Sequence, residues 1–407
     1  MIPVTPVIIG IFLIASFFKI AFLYHVLYLL VAVVVVSRVW AHLAARAITV
    51  ERRFESPALH GQEIDVVLAI RNRGWLPVPW LRTHDHLPLA LATSANVDQV
   101  VSLGPRAERV MSFRTTGRQR GWYELGPVRI EVGDLFGFAR HAIEFATKAR
   151  LTVYPRIVPI GRRGLVSRLP FGAVRSRAAL FDDPSRVIGA REYQPGDSLR
   201  SVHWSATAAT GTLQVRKLEP AMTLRTVVAV DLSRDAYPAE FRFYASELAI
   251  VATASVVSHL IDLRQEVGLV VAGRDPMLPL GTNARALDAA KGNTQRERIL
   301  STLARVHLDD CPPIANALSA AAASFGWGTS LIVVVPAITA ELIAILTRLR
   351  RSGVSASAIL VRRTTPYGAI EESVPAWLST IDVWRDDDLD TSEHGAVRSV
   401  PVRLGSN

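Results

Sequence analysis

The chain has a single cysteine, Cys311, in 407 residues. One thiol excludes an intramolecular disulfide and any thiolate metal cluster, so Cys311 reads as a small buried apolar side chain. The shortage of cysteine fits a reducing compartment. Acidic charge is the second scarcity. Asp and Glu number 36 against 46 Lys and Arg, a formal net charge of +10. That excess points to an anionic neighbour: lipid headgroups, nucleic acid or an acidic protein. Catalytic signatures are missing too. There is no GxSxG elbow, no Walker A phosphate loop and no HExxH pair, so the chemistries built on those motifs find no support here. We expect no enzymatic activity.

Charge is almost absent from the first 37 positions, where Lys19 is the only formally charged side chain between Ile2 and Ser37. As one helix this run would reach ~54 Å, against a hydrocarbon core of ~30 Å. A tight transmembrane hairpin fits better, with arms near Ile2–Phe18 and Ile20–Ser37 and with Lys19, Tyr24, His25 and Tyr28 near the turn. The alternative is one span from about Ile20 to Val39 behind a peripheral first segment. A cleaved signal peptide lacks its basic start and small-residue cleavage site. Arg38, Arg46, Arg52 and Arg53 follow the apolar run. The positive-inside rule then places everything after Arg38 in the cytoplasm, which makes this a cell-membrane protein with cytoplasmic soluble domains.

From Ile48 to Pro155 the pattern is β. Val128-Arg129-Ile130-Glu131-Val132 alternates with period two, and Ile64–Arg71 and Val110–Thr115 do so in part. Turn signals at Gly61, Gly74, Gly104-Pro105, Gly117 and Gly126-Pro127 punctuate the strands. Short strands at this spacing predict a small β-sandwich over 48–155, a binding or spacer module. Within it, His84-Asp85-His86 places two imidazoles on one strand face, a metal-ligand spacing without a third ligand in view. From Lys148 to Arg177 the chain carries eight basic residues and no acidic one. With its glycines and prolines, the stretch 156–190 reads as a basic connector. It is either a solvated linker or a contact for anionic inner-leaflet lipid through Arg162, Arg163, Arg168, Arg175 and Arg177. Nucleic acid is the weaker alternative, because no recognition motif accompanies the charge.

The remainder alternates apolar strands with helical patterns. Thr226–Val230, Val267–Val271, Leu331–Val335 and Val354–Val361 read as strands. Phe241–Leu263, Arg296–Val306, Ile314–Phe325 and Ala340–Arg351 read as helices. Buried strands with helical crossovers predict an α/β fold, an open and mostly parallel sheet covered on both faces. Ligand sites in such sheets lie beyond the carboxyl ends of the strands. Asp231-Leu232-Ser233-Arg234-Asp235 follows the first of them. A terminal stretch, 386–407, reads as a polar tail.

One segment concentrates charge and aromatic surface: Arg191-Glu192-Tyr193-Gln194-Pro195-Gly196-Asp197-Ser198-Leu199-Arg200-Ser201-Val202-His203-Trp204. We expect a rigid turn at Pro195-Gly196, with Arg191 and Arg200 bridging Glu192 and Asp197 and Trp204 anchored in an apolar pocket. The segment resembles the REYxPGDxxRxxxW signature of domain-of-unknown-function family fifty-eight. Gly121–Pro127, Asp134–Gly137 and Leu151–Arg156 are similar to that family's other boxes. Ser205 and Ala209 stand where the family often has Lys and Arg.

The resemblance implies a membrane-anchored protein with a von Willebrand A-like domain over 191–385. It also implies a partner, a MoxR-type AAA+ ATPase acting in assembly or remodelling of other proteins. The Asp231 loop resembles the DxSxS start of the A-domain metal site, in which hard oxygen ligands hold Mg²⁺. Here Asp235 replaces the last Ser, Pro336-Ala337 stands where an Asp is expected, and no Thr occurs near Pro312–Ala315. The degenerate candidate ligands are Asp231, Ser233 and Asp235; alternatively Asp231 and Ser233 hold the loop through hydrogen bonds to nearby N–H groups. The leading expectation is a non-enzymatic adaptor without a resident cofactor. Its alternatives are a metal-dependent enzyme or sensor centred on Asp231, or an anionic-lipid or nucleic-acid binder.

Overall fold

A computed structural model describes residues 4–88, 90–91, 96–134, 137–146, 149–160, 182–194, 201–220, 225–279, 282, 284–362 and 374–389. It divides into two compact units, the first running to Arg156 and the second starting at Ile157. The basic residues Arg162, Arg163, Arg168, Arg175 and Arg177 lie outside the described residues, as does nearly all of the polar tail.

The first unit opens with two apolar helices, α1 (Val4–Phe18) and α2 (Ala21–Arg46). They break where the sequence places the hairpin turn, and Lys19 takes a left-handed φ of 51° there. Two helices among the described residues are long and apolar enough to cross a bilayer, Ala21–Arg46 and Arg242–Asp262. The second has 83% of its apolar window buried and is the core helix of the other unit. The first is largely uncovered. It does not stop at Ser37. It runs on to Arg46 because Ala41, Ala44 and Ala45, spaced on one helical face, bury against the β structure that follows. The helix thus continues past the apolar arm that ends at Ser37, and helix and β domain belong to one unit.

Strands β1 (Ile48–Arg53), β2 (Glu63–Asn72) and β5 (Glu108–Thr116) form one antiparallel sheet. In a second, β4 (Asn96–Leu103), β3 (Val78–His86), β7 (Val128–Gly133) and β8 (Arg140–Phe145) lie in that order. Ile48, Val50, Leu68 and Ile70 from the first meet Leu81, Val128, Ile130 and Val132 from the second, with Ala44 and Ala45 of α2 in the same cluster. Each such side chain, taken fully out of water, contributes ~1.5–3 kcal/mol. A short pair, β6 (Gly121–Leu125) with β9 (Ala149–Val153), closes a smaller core around Ile64, Val66, Leu125 and Leu151.

Alternation along β3 puts Asp85 and His84 on opposite faces. Asp85 points inward and pairs with Arg52 of β1, both side chains essentially unexposed. His84 lies on the other face, 3.9 Å from Asp98. One arginine of the membrane flank is thus a buried structural charge, while Arg38, Arg46 and Arg53 remain exposed.

The second unit holds a six-stranded sheet. Its strands are β12 (Arg225–Asp231), β13 (Glu266–Ala272), β14 (Ala284–Ala290), β15 (Ser330–Val335), β16 (Ser355–Val361) and β17 (Ser379–Val383). The spatial order is β14-β13-β12-β15-β16-β17, parallel throughout except for β14, which runs antiparallel to β13. On one face, Val227, Ala229, Val270, Leu331 and Val333 pack on two helices, Ile314–Ala321 and Ala340–Arg351. The Arg242–Asp262 helix lies against β12, β13, β15 and β16. Strand alternation assigns it the opposite face, where Val228 and Val230 are fully buried. A further ribbon, β10 (Asp182–Glu192) antiparallel to β11 (Gln214–Pro220), precedes the sheet. The C-terminal end of the expected loop-like connector is therefore strand.

Candidate functional site

Two places carry the residues singled out by sequence. The first is the carboxyl end of β12. The chain moves from β12 to β13 on one side and later to β15 on the other, so the crossover direction reverses at β12 and a crevice opens beyond its end. Asp231 and Ser233 come together there, both buried. Oδ1 of Asp231 accepts from the Ser233 N–H at 2.9 Å and from its hydroxyl at 2.7 Å. Oδ2 accepts from the Ile314 N–H at 3.3 Å, the first residue of the 314–321 helix. The Asp231 carbonyl accepts from the Tyr237 hydroxyl at 2.5 Å. A carboxylate against the first N–H of a helix is well placed electrostatically.

Next to it, Asp309 clasps the loop: its N–H donates to Leu232 O at 3.2 Å, and its carbonyl accepts from Arg234 N–H at 2.9 Å. The Arg234 guanidinium reaches Asp310 at 3.0 Å. Burial raises the pKa of the Asp231 carboxyl, while the bonds from Ser233 and Ile314 pull it back. Burial, with Asp231 nearby, lifts the Tyr237 phenol well above its ordinary value. The Cys311 thiol is pushed up to about 12, first by burial and then by Asp231, Asp309 and Asp310. A thiol held protonated in this way is a poor nucleophile.

Asp235 does not join this group. It is exposed on a short 3-10 turn, Arg234–Ala236. The two donors that do meet, Asp231 and Ser233, are engaged with each other and with Ile314. The loop-holding alternative describes the geometry.

The second place is the Arg191–Trp204 segment. Arg191 and Glu192 end β10, exposed, opposite Val215 and Gln214 of β11. The Arg191 guanidinium donates to the carbonyl of Glu192 at 3.1 Å. Tyr193 N–H donates to Leu213 O at 2.9 Å, and His203 N–H to Gln214 O at 2.8 Å, so both ends of the segment are tied to the chain entering β11. Pro195, Gly196, Asp197 and Arg200 lie outside the described residues.

His203 then caps a short helix, Trp204–Thr210: its Nδ1 accepts from the Ala206 N–H at 3.3 Å, and Ser205 Oγ lies 3.0 Å away. Gly211 ends the helix at φ 73°, a left-handed position that glycine adopts freely. Being first in this helix turns Trp204 outward. It is 69% exposed. The expected apolar pocket is thus contradicted, and the residue buried on the ribbon is Val202, bridged to Val215.

Residues 189–323, which include the ribbon, the short helix and the Asp231 loop, match the family described as "Protein of unknown function DUF58". The chain carries a DUF58 region there. A relative, "Uncharacterized protein YeaD" of Bacillus subtilis (strain 168), is 22% identical over 277 residues, or 67% of this chain. The match takes in 65% of that relative, just under two thirds of its length. Among solved structures, the CARDB domain of the PF1109 protein from Pyrococcus furiosus is similar at 20% identity over 26% of this chain and 86% of that one, with a TM-score of 0.19. A beta-glucosidase from Listeria innocua is similar at 13% identity over 26% of this chain and 16% of that one, TM-score 0.16. Likenesses this weak carry no argument about this chain's fold or chemistry.

Tyr237, Asp309 and Ile314 escape a reading of motifs. Tyr237 and Asp309 follow no pattern in sequence, and Ile314 acts through its backbone. Only the Pro312-Pro313 pair, which stops the preceding segment just before the helix, marks the place.

Proposed function

We propose that this DUF58 protein is a non-enzymatic, membrane-tethered interaction protein. Its soluble units lie in the cytoplasm and engage a MoxR-type AAA+ ATPase in assembly or remodelling of other proteins. One observation carries the reading: the family signature holds Trp204 out to solvent, at the start of a helix whose N-cap, His203, is bonded to the strand ribbon. A rigid, exposed tryptophan beside charged residues is the composition of an interface hot spot. Leu213, also partly exposed, extends the apolar surface. The sheet supports a von Willebrand A-like reading through its strand order, its antiparallel β14 edge and the position of Asp231. The hydrogen bonds on that aspartate favour an adhesive module over a metal-dependent one. The partner's identity comes from the family resemblance, and the cytoplasmic side from the exposed Arg38, Arg46 and Arg53.

Trp204→Ala is expected to weaken ATPase binding by about 2 kcal/mol or more, roughly thirtyfold. Its unfolding free energy should stay within ~0.5 kcal/mol of wild type, as for other exposed substitutions. Pull-down with the ATPase and thermal unfolding of the same variant check it. Undiminished binding would remove the signature from the interface.

A further inference from the structure

The loop between β2 and β3 plays no part in the reading above, yet it is held firmly for an exposed loop. Asn72 is fully buried beneath it. Its Nδ2 donates to Leu76 O at 2.8 Å and Gly104 O at 3.0 Å, and its Oδ1 accepts from Gly74 N–H at 2.9 Å. The Arg73 N–H donates to Ala47 O at 2.9 Å, immediately after α2, and the Arg106 N–H donates to Gly74 O at 3.0 Å. Trp40 of α2 donates from Nε1 to Pro77 O at 3.1 Å. Three segments are thus stapled together: the end of α2, the loop from Arg73 to Pro77, and the β4–β5 turn.

The staple presents Trp75, which is 74% exposed while its neighbour Leu76 is buried. Arg46, Arg73 and Arg106 around it are exposed, and the acidic residue that follows the β4–β5 turn is Glu108, the first of β5. Arg106 sits at a left-handed φ of 54°. A non-glycine residue in that region is uncommon, so the turn is held by its surroundings.

The height of this loop along α2 is fixed by its two ties, at Trp40 and Ala47. Seven residues of helix are about 10 Å. The apolar stretch of α2 ends at Val39. A bilayer's polar layer, the difference between about 30 Å of hydrocarbon and 40–45 Å overall, adds about 5–8 Å per leaflet. If α2 fills the hydrocarbon, the loop lies in the polar layer.

We propose that the Arg73–Pro77 loop and the Arg106 turn form a contact with anionic phospholipid in the leaflet where α2 emerges. The Trp75 indole sits at the interface, with its ring toward the acyl boundary and its N–H toward the headgroups, and the guanidinium groups of Arg46, Arg73 and Arg106 pair with lipid phosphates. Tryptophan prefers that depth because one end of the indole is apolar and the other donates a hydrogen bond. Arginine forms bidentate bonds to phosphate. The rigidity adds a reason: a pre-set loop loses little conformational freedom on contact. This inference rests on α2 spanning a membrane and is independent of the ATPase reading.

The test is depth-dependent quenching of tryptophan emission in the full chain reconstituted into phosphatidylglycerol nanodiscs, with and without brominated acyl chains. Among the eight tryptophans, Trp75→Phe should lower the bromine-quenched part of the emission. Trp327→Phe, which removes another exposed tryptophan, should leave it unchanged. Arg73→Glu combined with Arg106→Glu, or phosphatidylcholine discs, should weaken quenching at Trp75. Equal quenching of wild type and Trp75→Phe overturns the proposal, and would leave Trp75 to a protein partner. Alkaline carbonate extraction separates the two failures. A chain that stays in the membrane with unquenched Trp75 sinks only this contact; a chain that is released sinks the membrane tether with it.

Discussion

Asp85→Ala is expected to destabilise the first unit by about 3–5 kcal/mol, the cost of leaving a buried charge without its counterion. Arg52 and Asp85 are 1% and 0% exposed in their side chains. They join β1 of one sheet to β3 of the other, so the pair spans the sandwich. Burial already lowers the Arg52 pKa, and the charge and hydrogen bond of Asp85 oppose that lowering. Removing Asp85 takes away that opposing contribution. Swapping both residues for apolar ones, Arg52→Met with Asp85→Leu, should recover most of the loss, since well-packed apolar pairs commonly replace buried ion pairs at no net cost. Urea unfolding of the detergent-solubilised full chain measures both. An unchanged midpoint for Asp85→Ala would mean that water or another group takes over the Arg52 charge.

Asp231→Ala should cost the second unit about 3 kcal/mol. It frees the buried donors of Ser233 and Ile314, each worth ~1–3 kcal/mol when left unsatisfied, with some recovery as the loop relaxes. Magnesium affinity, measured by calorimetry, should not change. A micromolar dissociation constant abolished by the substitution would establish a metal centre instead. The same carboxyl has a pH signature. Its folded pKa is raised, so the folded chain binds the proton more tightly than the unfolded one. Its contribution is greatest below the unfolded value of about 3.9 and declines as pH rises through the folded value. The stability difference between wild type and Asp231→Asn should therefore fall across that window and then level off. A flat difference would show that the carboxyl is not raised.

Much of the second unit was legible because its strands are continuous apolar runs: Thr226–Val230, Val267–Val271 and Leu331–Val335 each fall inside an observed strand. β14 escaped notice because Ala-Arg-Ala-Leu-Asp-Ala-Ala lacks β-branched residues and is a strand only through pairing with β13. The ribbon β10–β11 depends on partners more than twenty residues apart, which local pattern does not encode. Trp204 was misplaced by treating a large aromatic as core by default. The His203 cap starts a helix at that residue and turns the indole outward. At Asp231, the residue types were readable and the sheet end was readable. Which N–H groups converge on the carboxylate depends on where the 314–321 helix arrives.

The burial of Ala44 and Ala45 among Ile48, Leu81 and Ile130 gives α2 a mechanical meaning. A helix joined to its domain by a slack linker lets the two turn independently. Here the last turns of the helix are structural timber of the sandwich, so the two turn as a single lever. With α2 in a bilayer, as proposed, torque applied to the sandwich appears as tilt or rotation of the helix among the lipids, and a change in bilayer thickness that tilts the helix swings the sandwich.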